Sequence, residues 1–161
     1  MAHFSRTQEI MLNDQIMELK SFSYGKMTRQ IIFGNEKRVE VEVFCSKGTK
    51  YILRLYIPPD FPKSCPSLAV IAPDGILRRR DRSLLGFANH QDHVLSSMDG
   101  YTRISHFSTN NWVANITLLQ VIEKGLVWLE AYEMHLRKGG SIDRFLQVLA
   151  TVLHAESTLE L

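Results

Sequence analysis

The side chains able to do chemistry gather in one stretch of the chain. Ser105 offers a hydroxyl, and His90, His93, Asp99 and His106 stand in the same segment. A serine hydroxyl ionises poorly, so nucleophilic use of Ser105 requires a base within hydrogen-bond reach. His106 is adjacent, but neighbours on an extended chain point to opposite faces, which makes it a poor base for Ser105. His90, His93 and Asp99 are better candidates, provided the segment folds back over Ser105. Each histidine also reads as a structural hydrogen-bonding group, and Asp99-Gly100 as an ordinary turn dipeptide. No glycine flanks Ser105 as the elbow of a serine hydrolase would require.

Other reactive residues carry weaker signals. Cys65 lies between Ser64 and Pro66 with no histidine near it in sequence. Cys45 continues an apolar row and reads as a small core residue. The chain has two cysteines and six histidines, without ligand spacing, so neither a zinc site nor a disulfide framework is expected. Arg78-Arg79-Arg80 reads as a solvated loop or as a docking patch for an acidic surface. A net charge of only +2 gives no reason to expect nucleic acid as a partner. No apolar run is long enough for a membrane span, and the N-terminal residues lack an apolar signal core. These features predict a reducing, cytoplasmic setting.

The elements that must position Ser105 follow from periodicity. With 45% apolar and 22% charged residues in 161, the chain suits one domain with one core. Ser5 and Gln8 form a capping-box signature, and Ile10, Leu12, Ile16, Met17 and Leu19 recur at helical spacing. Gly25 is the predicted stop. Arg29 to Phe33, closed by Gly34-Asn35, reads as a short strand. Val39, Val41, Val43 and Cys45 alternate with Arg38, Glu40, Glu42 and Phe44, the mark of a half-buried strand. Lys50 to Ile57 is a third strand, joined to the second by a turn too short for a crossover.

All of the five prolines except Pro73 then fall between Pro58 and Pro66, which excludes helix and central strand. Ser67 to Ala72 reads as a fourth strand, ended by Pro73-Asp74-Gly75. From about Gly75 to Trp112 no period is sustained, and irregular segments of that length are usually functional. Two helices close the chain. Asn115 is the predicted cap of the first, with Ile116, Leu119, Ile122, Leu126, Leu129 and Met134 on its apolar stripe and Gly139-Gly140 at its end. Ser141 caps the second, with Asp143 in its first turn and Phe145, Leu149 and Val152 on its buried face. Trp112 and Trp128 are expected in the core. The fold class is α+β: an N-terminal helix, a four-stranded antiparallel meander, a long irregular segment and two C-terminal helices.

Three motifs in this order resemble the ubiquitin-conjugating enzymes over nearly the whole chain. The first is the strand Tyr51 to Ile57, the turn Pro58-Pro59-Asp60-Phe61-Pro62, and a strand opened by Pro66. The second is Ile104-Ser105-His106-Phe107, then Trp112, then Thr117-Leu118-Leu119. The third, Trp128-Leu129-Glu130-Ala131-Tyr132-Glu133, is similar to the conjugating-enzyme-like proteins of bacterial ubiquitin-like and antiviral operons. The family's His-Pro-Asn tripeptide is absent. Leu95 stands at its spacing, with His90 and His93 nearby, so the oxyanion donor is unassigned.

The resemblance places Ser105 on the family's catalytic cysteine. It implies an acyl carrier that takes the C-terminal carboxyl of a ubiquitin-like protein from an activating enzyme and passes it to an amine of a protein substrate. It implies no cofactor on this chain, since the activating enzyme uses the ATP. It also implies that the first helix docks the activating enzyme, with Arg6 and Lys20 as contacts, and that the tail lies along Gly100 to Trp112. A thiol near pKa 8.5 suits such chemistry better than a hydroxyl. Three readings of Ser105 stay open: serine substituted for a native cysteine, native serine forming an oxyester, or native inert serine on a module that binds the ubiquitin-like protein without chemistry.

Overall fold

A computed structural model describes residues 4–22, 28–33, 36–73, 75–107 and 110–159, with the backbone alone for 28–33 and 153–159. The sequence-predicted stop at Gly25, the Gly34-Asn35 dipeptide and Asp74 of the turn after the fourth strand lie outside the described residues. Helix α1 spans Arg6–Ser21. The Ser5 hydroxyl accepts from Gln8 N–H, and the Gln8 side chain accepts from Ser5 N–H, so the expected capping box is formed. Gln8 also donates to the Pro59 and Phe61 carbonyls, both at 2.9 Å. One side chain thus caps the helix and pins the proline turn to it.

Strands β1 (Thr28–Phe33), β2 (Glu36–Phe44), β3 (Lys50–Ile57) and β4 (Ser67–Ala72) form the expected antiparallel meander. In β2 the alternation is realised: Val39, Val41 and Val43 are buried, and Cys45 prolongs their row. The four-strand expectation is corrected by two further strands, β5 (Val94–Met98) and β6 (Tyr101–Ile104). The sheet has six strands in the order β1-β2-β3-β4-β6-β5. Short length hides the hairpin in the sequence, and Ser96-Ser97 interrupt the apolar row of β5. Its turn, Asp99-Gly100, has positive φ at both residues (54° and 79°), the conformation of a tight hairpin turn.

The outer edge of β5 is covered. Ser97 N–H donates to Gly86 O at 3.1 Å, and Asn89 and Val94 exchange two main-chain bonds. Residues 77–85 double back on themselves, with Leu77 and Leu85 buried as plugs. Thr102, buried on β6, accepts from Leu77 N–H at 2.7 Å.

Helix α2 spans Leu118–Lys138. Its N-cap is Thr117, not Asn115, because Thr117 and Gln120 form a second capping box. The buried stripe turns accordingly: Leu118, Val121, Ile122, Trp128, Leu129 and Tyr132 face inward, while Leu119, Leu126 and Met134 are only half-buried at its margin. Gly125 lies where this helix comes closest to the sheet: a Cβ there would sit 2.9 Å from both Leu53 and Leu68. Gly139, with φ 73°, ends the helix as expected. Helix α3 spans Ile142–Leu159, capped by the Ser141 hydroxyl, which accepts from Arg144 N–H. Ile142 and Phe145 are buried and Leu149 is half-buried, but Val152 is 48% exposed, so the sequence-predicted face ends a turn early. The core lies between β2, β3 and β4 on one side and α1 and α2 on the other, and Trp112 and Trp128 are in it. Among the described residues no helix is long and apolar enough to cross a membrane.

Candidate functional site

The β5–β6 hairpin sets the position of Ser105. Val94 pairs with Ile104 and Leu95 with Arg103, so the register carries on to His93 opposite Ser105. Ser105 N–H donates to His93 O at 2.9 Å. Ser105, His93 and His90 line one groove of about 240 Å3, together with Asn89, Gln91 and Leu95. The fold therefore brings three of the four sequence candidates together.

Asp99 stays apart. It sits in the turn at the other end of β6, about 20 Å of extended chain from Ser105. Its carboxylate lies 3.4 Å from the Arg38 guanidinium. That pairing ties the hairpin tip to β2.

His93 has φ 52°, a left-handed conformation uncommon for a residue with a Cβ. It turns the side chain towards α3, where Nε2 meets Asp143 Oδ1 at 2.6 Å. The other Asp143 oxygen accepts from Gln147 at 2.7 Å. A carboxylate acceptor fixes the proton of a neutral imidazole on Nε2 and leaves Nδ1 as its lone-pair nitrogen. Among the described residues no side chain hydrogen-bonds the Ser105 hydroxyl.

A second network holds His93 in place. Asp92 is buried and accepts from Arg79 Nε at 2.9 Å and from Ile142 N–H at 3.3 Å. Asp92 O accepts from Trp128 Nε1 at 2.9 Å, and Gln91 O accepts from Asp143 N–H at 2.8 Å. The segment before β5 thus satisfies two of the free N–H groups at the start of α3. Arg79 belongs to the fold through this pair and through its bond to Leu84 O, not to a solvated loop. Arg80 N–H donates to His135 Nε2 and Tyr132 donates to Arg78 O, so the main chain of the basic run is tied to α2.

His106 turns away from the Ser105 groove, as alternation predicts. Its Nε2 lies 2.7 Å from Pro66 O and 3.2 Å from Cys65 Sγ, and its Nδ1 lies 3.2 Å from Ile104 O. Burial pushes the imidazole pKa below its usual value. It also pushes the half-buried Cys65 thiol up to about 11. The sequence left Cys65 without a histidine. The β4–β6 register supplies one, since Leu68 pairs with Ile104 and the same count sets Pro66 opposite His106. Asp143 was visible only as a charge suited to a helix start, with nothing to link it to a histidine 50 residues earlier. Among the described residues no cluster of His, Cys, Asp and Glu could hold a metal ion.

Comparison with protein-family models, curated proteins and solved structures found no match to this chain. The chemistry of the site therefore rests on its own geometry.

Proposed function

We propose that this chain is an acyl carrier of the ubiquitin-conjugating type, on a fold of that kind. Ser105 accepts the C-terminal carboxyl of a ubiquitin-like protein from an activating enzyme, and the acyl group passes to an amine of a protein substrate. One observation carries the reading: Ser105 is held opposite His93, in a shared groove, and Asp143 orients that imidazole from behind. A nucleophile, a base and a group that orients the base are the parts acyl transfer needs. His93 Nδ1 takes the hydroxyl proton as the oxygen attacks, and the Asp143 carboxylate stabilises the imidazolium that forms. His90, exposed on the same wall, is placed to meet the incoming tail. The meander, the proline turn pinned by Gln8 and the final helix pair support the same assignment. In this reading α1 meets the activating enzyme through Arg6 and Lys20, both exposed. The pathway is of the bacterial defence type and runs in the cytoplasm, a setting suited to two free thiols.

A second reading is a binding module that presents the ubiquitin-like protein without chemistry. The absence of a side-chain partner for the Ser105 hydroxyl among the described residues favours it. Incubation with the activating enzyme, the ubiquitin-like protein and ATP separates the two. An oxyester adduct survives thiol reductant, breaks in hydroxide and is missing in Ser105→Ala. Ser105→Cys converts it to a reductant-sensitive thioester. Absence of any adduct, while the activating enzyme itself becomes loaded, leaves the binding module standing.

A further inference from the structure

Cys65 and His106 line a groove of about 360 Å3 with Lys63, Arg103, Phe107 and Trp112, which adjoins the Ser105 groove at Leu95. The thiol is half-buried, open enough to be reached. Its sulfur is 3.2 Å from His106 Nε2.

The ring is held in an unusual way, because both nitrogens face main-chain carbonyls: Nε2 the Pro66 oxygen and Nδ1 the Ile104 oxygen. A neutral imidazole has one N–H and can satisfy only one of them. The imidazolium satisfies both. The charged ring is thus provided with acceptors in advance, although burial keeps it neutral at rest.

Burial holds the Cys65 thiol protonated at rest, and Arg103 on β6 offsets only part of that effect. Arg103 and Lys124 also oppose charge on His106, so the imidazolium forms only as the proton is transferred. Lys63 lines the groove, and Lys124 on α2 stands 5.1 Å above the Phe107 ring. The nearby carboxylate on the proline turn, Asp60, accepts from the Ser64 hydroxyl at 2.6 Å. No carboxylate lines the groove among the described residues.

We infer that Cys65 and His106 form a nucleophilic thiol–imidazole couple that takes an acyl group from a thioester, at a centre separate from Ser105. At rest the shorter contact keeps the ring proton on Nε2, donated to Pro66 O, and the Cys65 thiol lies 3.4 Å from the same oxygen. Reaction therefore first requires the tautomer with its proton on Nδ1, donated to Ile104 O, which frees Nε2 to accept. The Sγ proton then passes to Nε2 as sulfur attacks the thioester carbonyl carbon. The tetrahedral oxyanion collapses, the bond from that carbon to the donor sulfur breaks, and the leaving thiolate takes the proton back from Nε2. The acyl group ends on Cys65 and the donor leaves as a free thiol. Lys63 and Arg103 suit an acyl donor that carries negative charge. The inference does not rest on the reading of Ser105.

The test uses the full folded chain and phenyl thioacetate, with peptide mass spectrometry locating the acetyl group. Cys45, buried at 4% exposure, is the internal control. The expected result is acetyl on Cys65, none on Cys45, and release by hydroxylamine. The wild-type rate is expected to rise through the imidazole titration and level off by about pH 8, well below the ionisation of an unaided buried thiol. In His106→Asn, shown to be folded by its thermal melt, the rate falls at least about a hundredfold, the usual scale of general-base assistance. An unreactive Cys65, or a wild-type rate that climbs steadily with hydroxide to pH 10, overturns the inference without any variant. An unchanged rate in folded His106→Asn overturns it as well.

Discussion

At the scale of the residue, the imidazoles are set apart by their partners. His93 meets a carboxylate, and His106 meets two carbonyls and a thiol. The first is the equipment of a base whose charged form is stabilised, so Asp143→Asn is expected to slow loading of Ser105 about tenfold to a hundredfold. Single-turnover loading of folded Asp143→Asn against wild type reads the effect. His106 also makes a prediction about stability. Its pKa is depressed in the fold, first by burial, so the unfolded chain binds the proton more readily. Its contribution is complete above the unfolded histidine value of about 6.5 and is lost as pH falls below it. Urea midpoints at pH 7.5 and pH 5 are expected to drop further in the wild type than in His106→Gln.

At the scale of the element, two capping boxes frame the machinery. Ser5–Gln8 starts α1 and Thr117–Gln120 starts α2. Both are written as hydroxyl, two residues, glutamine, yet only the first was legible. Asn115 is also a good cap residue and stands before the same apolar stripe, so residue type alone does not choose between them. The tertiary contact decides: Leu118 N–H donates to Gln15 of α1 at 2.8 Å, which fixes the helix start at Thr117. Thr117→Ala is expected to lower stability by about 1 kcal/mol in urea denaturation, and Asn115→Ala to leave it nearly unchanged. The meander strands were legible because their alternation is long. β5 and β6 were not, since strands of five and four residues hold too few alternations to stand out. With β6 unseen, the pairs that matter, His93 with Ser105 and His106 with Pro66, had no register to reveal them.

At the scale of the whole molecule, Asp92 is where the site and the helix pair meet. Its carboxylate joins Arg79 to the start of α3, and its carbonyl receives Trp128 from α2. Removing one partner of a buried ion pair strands the other, so Asp92→Ala is expected to cost about 3 kcal/mol. Loss of order should centre on residues 77–93, read as faster hydrogen exchange there than in β2 and β3. That dependence was not legible in the sequence, because Arg79 and Asp92 come together only when the segment folds across α2.

The covered edge of β5 has a consequence for how a ligand tail is recognised. Gly86 and Asn89 already occupy the main-chain groups that an added strand would seek. The ladder beside them is out of step between Leu95 and Met98. An added strand at this edge would find those groups already taken. On the proposed function, a tail in the Ser105 groove meets the side chains of His90, Gln91 and Leu95 instead, so exchanging those three is expected to change which tail is loaded.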